Sequence, residues 1–309
     1  MNEVLRIIMN DKERFITLLE KFIALAAIRL SDDVMSRLEQ MRKAEDSPLQ
    51  KTLYDSYFEN FKMAIKQKRP CCQDTGMLQF YIKTGTAFPY LDITSEVITE
   101  AVRRATVSVP LRPNAVNYFN EINTGDNTGE RTPWIHWEIA ANQQFDNNSE
   151  MEITLYFSGA GCSLPGQAKV FKPSDSLEAI IPFVFDIVSG LGVNACPPLL
   201  VGIGLGHNIE NAAVLSKKAC IRPLGTEHPH PKGAELEKRI TAGLNSLGMG
   251  AQGLRGNNCV MGVHIESSAR HTATIACAVN VSCYVLRRGI IRLKSDLSYD
   301  LPAYRGIQL

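Results

Sequence analysis

The chain has 309 residues, 45% hydrophobic and 21% charged, with eight cysteines and a formal net charge of +1. That length and composition fit a globular protein able to bury a sizeable core. The near-neutral balance, without a long basic or acidic block, removes any electrostatic reason to expect nucleic acid or a membrane surface as a partner.

In chain order, Met1 to Arg14 mixes charged and apolar residues and lacks a secretory core. The cysteines are therefore expected in a reducing, cytoplasmic setting, as free, metal-bound or catalytic thiols. Phe15, Leu18, Leu19, Phe22, Ile23 and Ala26 recur at three- and four-residue steps and predict a helix, and Ser31-Asp32-Asp33 offers an N-cap for another. Leu53, Tyr57, Phe61 and Ile65 repeat the pattern over Leu49 to Lys66, and Pro70 ends it. Cys71, Cys72 and Asp74 then fall in a loop ahead of a strand over Met77 to Lys83. A helix over Thr94 to Thr106 runs into Val109-Pro110-Leu111-Arg112-Pro113-Asn114, and strands are predicted at Trp134 to Ile139 and Met151 to Ser158.

Gly159-Ala160-Gly161-Cys162-Ser163-Leu164-Pro165-Gly166 is too rich in glycine for helix or strand and reads as a tight loop. A helix near Ser176 to Val188, kinked at Pro182, precedes the loop carrying Cys196. The uncharged run from Ile187 to Gly206 raises a membrane question, but its glycines, Asn194 and Pro197-Pro198 favour a buried turn and strand. Pro198 to Gly204 reads as that strand. Helices near Ile209 to Ala219 and Ala234 to Leu247 follow, then strands at Cys259 to Ile265, Thr274 to Val281, Tyr284 to Leu286 and Ile290 to Leu293. Gly202, Gly204 and Gly206 suggest a dinucleotide fingerprint, but its sixth position is His207, so close packing is expected instead. The fold class is α+β: a helical N-terminal third followed by mixed strands and helices around a cluster-binding centre. Without a repeat, linker or clean boundary, residues 1–309 read as one domain that can hold two lobes.

Cys220, Cys259 and Cys277 lie in apolar patterns that suit buried structural thiols. Cys72, Cys196 and Cys283 fall at loops or element ends. Cys71 competes with Cys72, since adjacent side chains point apart and one of them is expected to reach a shared metal. Three thiolates do not complete a tetrahedral zinc site, yet they can hold an iron–sulfur cluster with one iron left open as a Lewis acid.

Pro70-Cys71-Cys72-Gln73-Asp74-Thr75-Gly76, Leu111-Arg112-Pro113-Asn114, Asn194-Ala195-Cys196-Pro197-Pro198, His271 and Cys283 with Arg287-Arg288-Gly289 come in this order along nearly the whole chain. Together they resemble the class I (iron–sulfur) fumarase family. The resemblance implies a [4Fe–4S] cluster with three cysteine ligands, Cys72, Cys196 and Cys283, and one open iron, which selects Cys72 over Cys71. The loop around Cys162 resembles the tartrate-dehydrating branch of that family, with Ala160 and Ser282 standing where glycines are common. The implied role is an alpha subunit that dehydrates L(+)-tartrate to oxaloacetate. The alternatives are a two-subunit fumarase or mesaconate-type hydratase and, from another class, a non-catalytic iron–sulfur redox sensor.

Dehydration of a 2-hydroxy dicarboxylate expels hydroxide and removes a weakly acidic proton beside a carboxylate, so cationic and hydrogen-bonding groups must face that carboxylate. Arg112, held between leucine and proline, is the candidate for bidentate binding. Gln73 and the amides near Gly161 are candidate neutral donors, and Asp74 and His271 are candidates for proton handling. Local sequence alone reads Asp74 equally well as the cap of its own turn and reads His271 as an exposed loop residue; the resemblance is what places a histidine in the site. His136, His207, His228, His230 and His264 are expected to be structural or on the surface. Single-chain members of the family continue into a C-terminal domain. The resemblance therefore implies a separate beta subunit, an α2β2 assembly, and a small dicarboxylate substrate.

Overall fold

The computed structural model describes residues 3–139 and 149–309. The reading of Met1 to Arg14 thus begins at two residues outside the described set. The helices are α1 (Glu3–Ile28), α2 (Asp32–Ala44), α3 (Pro48–Gln67), α4 (Thr94–Ser108), α5 (Ala160–Ser163), α6 (Ile180–Leu191), α7 (Ile209–Ile221) and α8 (Pro231–Ser246). The strands are β1 (Met77–Thr84), β2 (Trp134–Ile139), β3 (Met151–Ser158), β4 (Gln167–Phe171), β5 (Leu199–Gly206), β6 (Val260–Ser267), β7 (Ile275–Ser282), β8 (Arg288–Leu293) and β9 (Tyr299–Asp300). The α+β class is as expected. The chain forms two compact units, one made of residues 1–32, 60–158 and 287–309 and the other of residues 33–59 and 159–286. Each is assembled from separated stretches, so no linker marks a boundary in the sequence.

The first unit is a five-stranded sheet in the order β2-β1-β3-β8-β9, with β1 and β2 parallel and the other neighbours antiparallel. β1 alternates strictly, so Leu78, Phe80 and Ile82 turn to one face. They share a core with Phe15, Leu19, Phe22 and Ile23 of α1 and Val97, Ile98, Ala101 and Val102 of α4. The three-and-four spacing of those helical residues is the cause of the packing.

The second unit carries a four-stranded sheet, β4-β7-β5-β6, in which β5 and β6 are parallel and β7 is antiparallel to both β4 and β5. Along β5, Val201 and Ile203 join a core with Ile180 and Val184 of α6 and Ile240 and Leu244 of α8. Gly202, Gly204 and Gly206 face the other way, against α7. A Cβ on Gly204 would lie 1.9 Å from the Ala212 carbonyl oxygen, and one on Gly202 would lie 2.3 Å from that of Ser216. The glycine run is a packing device, as the missing sixth glycine indicated.

Four local expectations change. Residues 160–163 close one helical turn after the extended Gly159, where a loop was expected. Pro182 does not kink a helix, because α6 starts at Ile180 and its first turn has no need of the missing N–H. β4 was unforeseen. Tyr284 to Leu286 form no strand, since the chain bends there between β7 of one sheet and β8 of the other. The segment Leu177–Ala195 is long and apolar enough to pass for a membrane span. In the fold it is divided into short 3-10 turns and α6, whose Ile180, Val184, Ile187 and Val188 are buried.

Candidate active site

In the first unit, α3 ends at Gln67 and the chain turns through Lys68, whose φ is 52°. Cys71 then points inward: its N–H and its thiol both donate to the Ala27 carbonyl, at 3.1 and 3.3 Å, while Asn60 Nδ2 donates to the Cys71 carbonyl at 2.8 Å. Burial pushes the Cys71 thiol up to about 11, against the opposing pull of the Arg287 guanidinium, so it stays protonated at neutral pH. Cys72 is half-buried and Gln73 is exposed. The adjacent thiols are therefore split between two jobs, with Cys71 anchoring the loop and Cys72 left accessible.

The rest of this loop is tied to Arg112. Asp74 Oδ1 accepts the Gly76 N–H at 2.9 Å, the turn-capping role that local sequence suggested, and Gly76 takes φ 74°. Thr75 Oγ1 accepts from Arg112 N–H at 3.0 Å and donates to the Arg112 carbonyl at 3.2 Å. Asn114 Nδ2 donates to the Gly76 carbonyl at 3.2 Å, and Asn127 Nδ2 to the Arg112 carbonyl at 3.1 Å. The Arg112 side chain is exposed on a backbone fixed from several directions. The Asp74–Gly76 turn and the Arg112 backbone are thus tied together through Thr75 and Asn114.

The second unit brings Cys196 and Cys283 to the same end of its sheet. Cys196 is exposed, in the left-handed conformation at φ 56° and ψ 72°, just before β5. Cys283 directly follows β7, and β7 runs antiparallel to β5 with Ser282 opposite Leu200. The N–H of Tyr284 donates to the Cys196 carbonyl at 3.3 Å. The Tyr284 ring stacks on Tyr57 at 3.8 Å between centroids and 19° between planes. Tyr57 OH accepts from Gln252 Nε2 at 2.8 Å, and Gln252 N–H donates to the Pro197 carbonyl at 2.9 Å. Burial raises the Tyr57 hydroxyl above its ordinary value; the Gln252 bond opposes this, and the nearby Cys196 and Cys283 add to the rise. Gly161 closes the same corner: a Cβ there would lie 2.7 Å from the Asn194 carbonyl oxygen, so only glycine lets α5 approach the turn ahead of Cys196.

His271 is not part of that corner. It precedes β7 whereas Cys283 follows it, and eight extended residues hold the two ends roughly 23 Å apart. Its Nδ1 accepts the Ala273 N–H at 3.1 Å, so the neutral ring carries its proton on Nε2. Arg270 Nη1 fixes this turn through the carbonyls of His271 and Thr272 at 2.9 and 3.2 Å. Among the remaining groups, Cys220 and Cys277 are buried and pushed up to about 11 and about 12, as structural thiols are. His264 is buried with Nδ1 against the Ala219 carbonyl at 3.1 Å. Among the described residues no three His, Cys, Asp or Glu side chains converge as a closed metal site. Tyr57 and Gln252 meet the Cys196 corner, and Arg287 the Asp74 carbonyl, through tertiary contacts that the sequence does not announce.

The family model described as fumarate hydratase (Fumerase) matches residues 16–292. The chain belongs to the fumarate hydratase family. It is accordingly a hydro-lyase, of the iron–sulfur class to which this family corresponds. Relatives include the L(+)-tartrate dehydratase subunit alpha of Escherichia coli (strain K12), 48% identical over 90% of this chain and 90% of its own. The protein of the same name from Shigella sonnei (strain Ss046) gives the same figures. A relative from Methanocaldococcus jannaschii is 38% identical over 88% of this chain and 94% of its own. The donors of this family member fit an iron–sulfur group: none of the eight cysteines is in a disulfide, and the three singled out by motif are the half-buried or exposed ones.

Proposed function

We propose that this chain is the cluster-bearing alpha subunit of a two-subunit L(+)-tartrate dehydratase, forming oxaloacetate through its enol. The observation that carries the reading is the convergence of Cys196 and Cys283 at one end of the second sheet, in a chain nearly half identical to subunits of that name. Cys72, Cys196 and Cys283 would hold a [4Fe–4S] cluster. When bound, that group supplies one Lewis-acidic iron without a protein ligand. Arg112 binds a substrate carboxylate through its guanidinium fork, on a backbone that the Thr75 and Asn127 bonds keep from drifting. Gln73 and the Gly161 amide orient the substrate as neutral donors. Asp74, whose Oδ1 caps its own turn, is the carboxylate that handles the exchanged proton in this reading.

A beta subunit completes the site in an α2β2 assembly, and a cytoplasmic setting suits eight cysteines that form no disulfide. The assembled complex is expected to turn over L(+)-tartrate faster than malate or mesaconate. Arg112→Ala should abolish that turnover while iron content stays at the parental level. Preference for malate would shift the assignment to a fumarase, and iron loss in the variant would make Arg112 structural.

The length of β7 gives His271 a different place in this scheme. The reading that fits this length is that its Nε2–H serves the centre of the second alpha copy in α2β2 rather than that of its own chain. Co-assembly of Cys196→Gly and His271→Ala alpha subunits, each inactive alone, should restore roughly a quarter of parental activity by random pairing. No recovery in mixed complexes of verified composition removes His271 from the site.

A further inference from the structure

Arg287 is 2% exposed, and its surroundings leave its charge unanswered. The Arg287 carbonyl accepts the Phe157 N–H at 3.1 Å, which pins the residue beside β3. Its guanidinium lies over the Phe157 ring at 5.4 Å, and Nη2 donates to the Asp74 carbonyl at 2.6 Å. Nε and Nη1 are buried and find no hydrogen-bond partner among the described residues. A buried guanidinium answered by one carbonyl and one ring face is costly, because its charge and two donors have left water without an anion to meet them. Arg288, next along the chain, reaches Ser31 Oγ instead, so the pair is not a single patch.

What surrounds Arg287 is the loop of Cys72. The carbonyl it holds is that of Asp74, two residues past the proposed ligand. We propose that Arg287 is a positioning residue and built-in counter-charge for the iron–sulfur cluster, holding the Cys72 loop and making the cluster easier to reduce. This rests on the cofactor reading above and deepens it. A cubane on three thiolates is negatively charged, and its potential follows the charge and hydrogen bonding around it. The aromatic face of Phe157 keeps water from screening the guanidinium.

The test is a redox titration of the assembled two-subunit complex, reconstituted without oxygen, beside Arg287→Gln and Arg287→Lys complexes of matched iron and sulfide content. The Gln variant is expected to be reduced only at a more negative potential, with faster cluster loss to a chelator, and the Lys variant to recover most of both. An unshifted potential in a fully loaded Gln variant overturns the proposal and makes Arg287 a packing residue. A second measurement covers variants that fail to fold. Hydrogen exchange over residues 155–158 of the parent, remote in sequence from every proposed ligand, should speed up when the cluster is stripped. Unchanged exchange there also overturns it. A parent complex that takes up no cluster refutes the cofactor reading itself, an outcome distinct from a loaded but unshifted variant.

Discussion

Replacing Cys196 with glycine is expected to leave the chain folded and to strip the assembled complex of its iron. Cys196 sits at φ 56°, a backbone region in which every side chain with a Cβ is strained and glycine is not. The side chain is exposed, so its removal opens no cavity. Backbone conformation alone would favour glycine here, so the proposed ligand role, not the backbone, is what would account for a cysteine. The stability change should therefore stay within about 1 kcal/mol, with either sign. Iron, sulfide and turnover should all fall to background. The check is thermal unfolding of the isolated chain together with metal analysis of the complex purified without oxygen. Full iron content in the variant would show that Cys196 is not a ligand.

Gly204→Ala should do the reverse and destroy the fold. The added Cβ would lie 1.9 Å from the Ala212 carbonyl oxygen and 2.4 Å from the Ser216 nitrogen, both backbone atoms of α7. Neither can rotate away as a side-chain tip can, so helix and strand must separate. Separation would disturb β5, which pairs with β6 on one side and β7 on the other. A loss of more than about 4 kcal/mol is expected, a large share of the stability of an ordinary domain. Insoluble expression, or a collapse of cooperative melting, is the readout. Wild-type melting would mean that α7 stands farther from β5 than these distances state.

The comparison of these two positions shows what a sequence discloses. Gly204 belonged to a run that a dinucleotide motif would also contain, and only the substitution of His207 at the sixth place separated the readings. The amphipathic helices were legible because one periodicity sets both their conformation and their buried face, as in Phe15 to Ala26. β4 was not, because four of its five residues are exposed and it adds only an edge to the sheet. Tyr284 to Leu286 looked like a strand because aromatic and branched residues suit one, yet Tyr284 is apolar for the sake of its stack on Tyr57. For the site, Cys72, Arg112 and Cys196 carried recognisable neighbours. The clamp of Tyr57 and Gln252, and the unanswered donors of Arg287, arise from residues that meet only after folding. His271 lay near Cys283 in sequence, and the intervening strand is what sends them apart.

The interleaving of the two units also dictates when the chain can fold during synthesis. β1, β2 and β3 emerge from the ribosome early, but the neighbour of β3 on its other side, β8, is translated only after the whole of residues 159–286. Until then Met151 to Tyr156 present an unpaired, largely buried-type strand edge to solvent. Pairing of that edge must therefore wait for residues 288–293 to be made. Shortening the chain at the C-terminus would leave that edge open for good, and aggregation rather than a smaller folded protein would be the product.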